Sequence, residues 1–381
     1  MLIPASSTLA AVEDFLIKGL SETQISLPTN SRHQALGAEA ALVQAITTWS
    51  NLHEQAVVRT FATSLDDPQL LRLARKLYGT AGIAVADEVL SRDRTISLKS
   101  VALQMARDRL KRMAVERPEQ VSRGPQTEIL CVDHLALSHP SSLYTNGESG
   151  EPEIRDLPAF RSLVRELITE KLIPSPYRQT LPPNFERAIA IALHELLRNT
   201  DEHGRTDDAG NLRRKSIRGF QARKHSLTPK SLREIAATSP PLANYCGGLM
   251  PARRDNAHVQ MIEISVFDAG PGLASSLLGK HMQGIDVEEE REAVLGCFVK
   301  SVSRKNASSA GLGLPNLVAA LSSVDGFMRV RTGRSAMFSN FAEAPVLEFG
   351  EPLQLRDWFE PGRQAPAVHG TLFTLLFPLR A

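Results

Sequence analysis

The sequence predicts an α+β chain, and three observations carry that reading. An apolar run beginning at Phe185 holds Ile189, Leu193, Leu196 and Leu197 at helical spacing, while Glu195, Asn199 and His203 recur every fourth residue on another face. Residues 259–267 alternate and are rich in β-branched side chains, the pattern of a strand. Upstream of about residue 125, helical and extended patterns alternate. A helix-and-sheet layer is therefore expected in the second half of the chain, with a smaller α/β module before it.

In chain order, residues 36–49 read as a helix and 56–61 as a short strand. Asp66-Asp67-Pro68 forms a turn, and a helix follows over 69–78. Residues 97–117 read as a basic amphipathic helix that stops before Pro118. Residues 128–135 read as a strand and 140–158 as a loop rich in Pro, Ser and Gly. A helix over 159–171 then leads through Pro174 and Pro176. The expected organisation is an N-terminal α/β domain over 1–125, a connecting segment over 126–180 and a C-terminal domain over 181–381. A sulfate-transporter/anti-sigma-antagonist (STAS-like) arrangement is one form the first domain can take. At 381 residues the chain is long enough for two domains, each with a core.

Lys+Arg total 44 against 42 Asp+Glu, so no whole-protein field draws the chain to nucleic acid or anionic lipid. Cys131, Cys246 and Cys297 have neither disulfide-framework nor zinc-site spacing, which suits a reducing compartment. No apolar stretch approaches the roughly 20 residues that span a bilayer. The first five residues lack the basic start and apolar core of a signal peptide. A soluble cytoplasmic protein without membrane association is the expectation.

Three separated segments carry chemistry. In the helix from Phe185, the Asn199 carboxamide is a neutral oxygen donor suited to Mg2+. Glu195, one turn earlier, can act as general base on a water beside that metal; its plainer reading is a helix-surface carboxylate paired with Arg198 at i+3. Asp268-Ala269-Gly270-Pro271-Gly272 closes the alternating strand. Its carboxylate can accept a hydrogen bond from the exocyclic amine of adenine, or can simply form a turn before Gly. Gly270 and Gly272 allow backbone to pass close to a ligand. Gly311-Leu312-Gly313-Leu314 turns into a helix, and amides of such a turn cradle phosphate oxygens. Arg198 and His203 either approach phosphates or are polar residues at the helix end.

Order and spacing of these segments resemble the GHKL superfamily of ATPases, which includes gyrase, the ninety-kilodalton chaperone, histidine kinases and mismatch-repair ATPases. The resemblance runs over 181–380. Residues 195–199 resemble the N box, 268–272 the first glycine box and 311–313 the second. Residues 370–378 resemble the closing strand, whose Thr371 supports the adenine-binding Asp, and Phe298 stands where the family often has an aromatic in the ATP lid. The resemblance implies a Bergerat-fold α/β sandwich with a mixed sheet and helices on one face. It implies ATP and Mg2+, with Glu195 catalytic, Asn199 on the metal, and Asp268, Gly270, Gly272, Gly311, Gly313 and Thr371 on the nucleotide.

Two insertions, about 204–258 and 334–368, interrupt that domain. Between Arg205 and Arg233 the first holds nine Lys/Arg against two Asp. It reads as a solvated loop with a short helix over 229–237; a nucleic-acid surface is less favoured, because Phe220 is the only ring there. Phe338, Phe341, Trp358 and Phe359 in the second point to a docking surface, for which the N-terminal domain is one candidate partner. Between Gly272 and Gly311, Asp286 caps an acidic helix start, and Lys300, Arg304 and Lys305 follow in a basic, small-residue lid. Such a pocket specifies ATP but not the phosphoryl acceptor. His53-Glu54 is a partial match to a kinase acceptor, without the downstream Pro or a helix hairpin. The favoured reading is a slow Mg2+-dependent ATPase acting as a conformational switch in a bacterial-type signalling, stress or defence system. A protein partner or a second copy of the chain is expected with it. The alternatives are a protein kinase, anti-sigma-like on serine or less readily on histidine, and a nucleotide-binding regulatory module that does not hydrolyse.

Overall fold

A computed structural model describes the chain except for residues 4–5, 30–31, 34–35, 175–180, 208–210, 251–257, 300–312, 347–352, 361–362 and 380–381. Thr8 caps α1 (Leu9–Lys18), its hydroxyl accepting from the Ala11 N–H at 3.1 Å. Strands β1 (Gln24–Ser26), β2 (Val57–Arg59) and β3 (Glu88–Leu90) pair in parallel in that order. Helix α2 (Ala38–Leu52) connects the first two, and α3 (Pro68–Ala74) with α4 (Leu77–Val85) connects the second to the third. Helix α5 (Lys99–Val115) follows. The single helix expected over 69–78 is two. Lys76 is extended (φ −87°, ψ 146°), and α4 turns so tightly that a Cβ on Gly79 would lie 1.9 Å from the Leu73 carbonyl oxygen. Among the described residues no helix is long and apolar enough to cross a membrane.

The second half is organised on a seven-stranded sheet. Its strands are β4 (Gln126–Cys131), β5 (Arg218–Leu227), β6 (Val259–Phe267), β7 (Phe327–Gly333), β8 (Ser335–Asn340), β9 (Arg356–Asp357) and β10 (Val368–Leu379). Their order is β9-β8-β7-β10-β6-β5-β4. Every neighbouring pair is antiparallel, so the sheet is not the mixed one expected. Residues 126–180 supply edge strand β4 and α6 (Leu157–Glu166) rather than a bare connection.

Both stretches expected as insertions contribute strands. The solvated-loop reading of 204–258 is corrected by β5, whose basic residues and their neighbours pair with acids inside the fold. Arg218 lies 3.0 Å from Asp133, Arg223 2.8 Å from Glu39 and Lys215 2.6 Å from Asp87. In the second stretch, Phe338 stacks on Phe327 and meets Trp358 edge-on, and Phe341 is buried. Phe338 belongs to the apolar cluster that holds Phe15 and Trp49, and Trp358 packs against it, so these two rings meet the N-terminal module inside the fold.

Strand alternation gives the large sheet two chemically different faces. Ile262, Ile264, Val266, Phe373, Leu375 and Phe377 make one apolar face, covered by α6, α7 (Phe185–His203), α8 (Val287–Gly296) and α9 (Gly313–Ser322). The other face carries Gln221, Glu263, Ser265, Arg329, Arg331 and Thr374, all buried. They are buried because α1 and α2 lie over them. Glu13 of α1 meets Arg329 and Arg331, each at 3.1 Å. Gln44 of α2 donates to the Arg331 carbonyl at 3.0 Å, and the His369 N–H donates to the Thr48 hydroxyl at 2.9 Å. At the start of α2, Gly37 (φ +78°) approaches so closely that a Cβ would lie 2.6 Å from Thr374 Oγ1. Burial alone would raise the Glu263 carboxyl, but His225 at 2.8 Å brings it down to about 2. One apolar cluster runs from Ile25 and Val58 to Met261 and Leu376. The N-terminal module therefore shares its core with the sheet instead of enclosing one of its own.

Candidate functional site

Helix α7 buries Ala188, Ile189, Ala192, Leu193 and Leu196 among the apolar residues of the helical layer. This leaves Glu195, Asn199 and His203 on a different side. Glu195 is only 7% exposed, so it is an interior carboxylate. Its Oε1 accepts from Asn316 Nδ2 at 3.2 Å. Its Oε2 lies 2.8 Å from Arg198 Nη2, yet without the alignment of a hydrogen bond. The i+3 pair thus forms, but in the protein rather than on its surface. The partly exposed Asn199 carboxamide makes no hydrogen bond among the described residues.

Gly313, the first residue of α9, closes on this place. A Cβ there would lie 3.1 Å from Glu195 Oε2, 3.4 Å from Arg198 Nη2 and 3.8 Å from Asn199 Oδ1. The first N–H groups of a helix have no partner inside it, so the positive end of α9 is set against Glu195 and Asn199.

The far end of α7 meets Asp268. Its C-cap, Gly204, packs so closely that a Cβ would lie 2.7 Å from Asp268 Cβ, and a Cβ on Gly270 would lie 2.5 Å from the His203 carbonyl oxygen. Gly270 is thereby required by helix packing. Gly272 (φ +88°) passes beside the Thr332 hydroxyl. Asp268 Oδ1 accepts the N–H groups of Gly270 at 2.8 Å and Thr371 at 3.3 Å. Its Oδ2 accepts no hydrogen bond among the described residues. Thr371 supports Asp268 through its backbone; its hydroxyl lies 3.3 Å from that of Thr332. Burial pushes the Asp268 carboxyl up to about 6, against the opposing pull of the Gly270 and Thr371 N–H groups. From Glu195 to Gly204 the helix rises about 13 Å.

Gly311, Lys300, Arg304 and Lys305 lie outside the described residues. Phe298 is a core residue, buried with its ring 6.3 Å from that of Phe373. Asp286 caps α8 through the Glu289 N–H at 2.8 Å. His53 ends α2, its Nε2 2.8 Å from the Leu20 carbonyl oxygen, on a helix laid against the sheet. Sequence reasoning missed Asn316, a polar residue in the first turn of α9 that its place after the glycines could have flagged. It also missed Arg218, which joins Asp133 and Asp201 at 3.0 and 3.4 Å beside the end of α7, where Tyr144 donates to Asp201 at 2.8 Å.

Among the described residues no group of three or more His, Cys, Asp or Glu is gathered for a metal. A single carboxamide, with waters and ligand oxygens completing the sphere, is an arrangement that suits Mg2+. No family model, curated protein or solved structure matches the chain.

Proposed function

We propose that the chain binds ATP with Mg2+ at this site and hydrolyses it slowly as a conformational switch, its C-terminal layer being a Bergerat-type fold. The observation that carries the reading is the course of α7, which meets Asp268 at one end and brings Glu195 and Asn199 against the start of α9 along its length. The donor set fits: among the described residues Asn199 has an unused carboxamide oxygen, Asp268 an unused Oδ2, and Glu195 a buried oxygen without an aligned donor. Asn199 would hold the cation, which when bound neutralises phosphate charge. Asp268 Oδ2 accepts from the adenine amine, the first amides of α9 face phosphate oxygens, and Glu195 takes a proton from the attacking water while Asn316 orients its carboxylate. The nearness of Arg198 to Glu195 favours a second reading, a nucleotide-binding module in which that carboxylate is held for structure and nothing is hydrolysed.

Incubating purified protein with Mg2+ and γ-labelled ATP separates these. Slow release of labelled phosphate to water is expected, with no label left on protein. Absence of turnover by the wild type would overturn the hydrolase, and label on the chain or an added partner would replace it with a kinase.

Asn199→Ala should abolish the Mg2+-dependent thermal shift that ATP induces while leaving the fold intact. A normal shift in the variant would remove Asn199 from the metal. Asp268→Asn keeps an oxygen for the two N–H groups but turns a donor toward the adenine amine. A loss of about 1.5–3 kcal/mol for ATP, with GTP much less affected, is expected by titration calorimetry. The same carboxyl gives a pH dependence. Below about 6 it is protonated, so ATP affinity should weaken as pH falls through that value, and Asp268→Asn should flatten the profile. Without nucleotide the sign reverses. A carboxyl held above its ordinary 3.8 contributes stability that is fully present below 3.8 and is lost as pH rises through about 6.

A further inference from the structure

A second cleft, of about 1000 Å³, lies between the N-terminal module and the β4–β5 edge of the sheet. It sits at the upper end of the size range of small-molecule sites, and no residue of α7 or α9 lines it. Its wall holds seven Lys/Arg against three Asp/Glu. Two of those cations are structural. Arg109 pairs with Glu128 and donates to the Thr80 hydroxyl, and Arg223 pairs with Glu39. The remaining acid, Asp108, accepts from Gln104 at 2.8 Å.

The other cations are differently placed. Among the described residues Arg112 pairs only with Glu116, the C-cap of α5. Arg72, Arg75 and Lys76 at the α3–α4 corner, and Arg123 before β4, make no side-chain hydrogen bond or ion pair among the described residues. Like charges gathered in one concavity repel, and an anion relieves that repulsion. Two further features point the same way. Lys76, the N-cap of α4 without a capping side chain, lines the cleft together with Leu77, so the start of that helix forms part of its wall. On the opposite wall the Nε of Arg223 is buried without a hydrogen-bond partner among the described residues.

We infer that this cleft binds a small molecule bearing two or more phosphate groups, across the seam between the N-terminal module and the sheet. Guanidinium groups suit phosphate because their planar fork donates in pairs. Cations stand on separate elements, the α3–α4 corner and the approach to β4, which calls for more than one anionic group.

Titration calorimetry with inorganic tripolyphosphate at about 0.15 M salt, where surface charge is well screened, tests this. The wild type, Asn199→Ala, and the combined Arg72→Ala, Arg75→Ala, Arg123→Ala variant are compared. All three arginines are exposed, so the combined variant should fold as the wild type does. Binding should survive Asn199→Ala and weaken roughly tenfold or more in the arginine variant. Tripolyphosphate should also raise the urea midpoint of the wild type but not of that variant. Undiminished binding by the arginine variant, loss in Asn199→Ala alone, or no wild-type binding below about 1 mM would overturn the inference. So would capture of a single-stranded oligonucleotide through these arginines when tripolyphosphate fails to bind.

Discussion

Glu195→Gln should slow ATP turnover by about 10²–10⁴, the usual loss on removing a general base, while ATP affinity stays within a few-fold. Glutamine keeps the volume of a side chain that is 7% exposed, and its amide oxygen can still accept from Asn316. It cannot take a proton from water. Arg198 loses its counter-charge, but its side chain is 31% exposed and can turn to solvent. The variant should therefore retain ATP, visible as unhydrolysed nucleotide carried through gel filtration. Turnover equal to the wild type would make Glu195 a packing residue, and loss of ATP binding would make it part of the ligand's hold.

Glu13→Ala should cost about 3–5 kcal/mol of stability, because it leaves buried charge without its partner. Arg329 bears most of that loss. Glu13 at 3.1 Å is its ion-pair partner, the Trp358 ring lies 4.8 Å from its guanidinium carbon, and its Nε and Nη1 are buried without hydrogen bonds among the described residues. Burial already lowers the Arg329 guanidinium to about 10. Arg331 is better held, donating to the carbonyls of Gly333 at 2.7 Å, Ser335 at 3.3 Å and Pro366. Urea unfolding measures the cost. Replacing Glu13, Arg329 and Arg331 together with Met or Leu should recover most of it, since no lone charge remains. A loss below about 1 kcal/mol for Glu13→Ala, the size of an exposed pair, would mean that water reaches these arginines.

Local pattern was the legible part of this chain. The helix from Phe185 and the strand at 259–267 lie where period and composition place them, and Asp286 caps its helix as its position before three acidic residues implies. Each of those signals is held by residues within a few turns of one another. The identities of Glu195, Asn199 and Asp268 are equally plain in the sequence.

The placing of Glu195 and Asn199 against Gly313, and of Asp268 against the end of α7, is not, and neither is the fate of the basic stretch after Gly204. The Lys and Arg of this stretch, Arg223 among them, read as solvated because few acids nearby in sequence neutralise them. In the fold Arg223 meets Glu39, 184 residues away, and His225 meets Glu263. The break after Ala74 and the closeness of Gly270 to His203 depend likewise on backbone brought together from elsewhere. Period and capping arise from the covalent geometry of neighbouring residues. Whether a charge is buried depends on a partner delivered by another part of the chain, and no spacing along the sequence encodes that meeting.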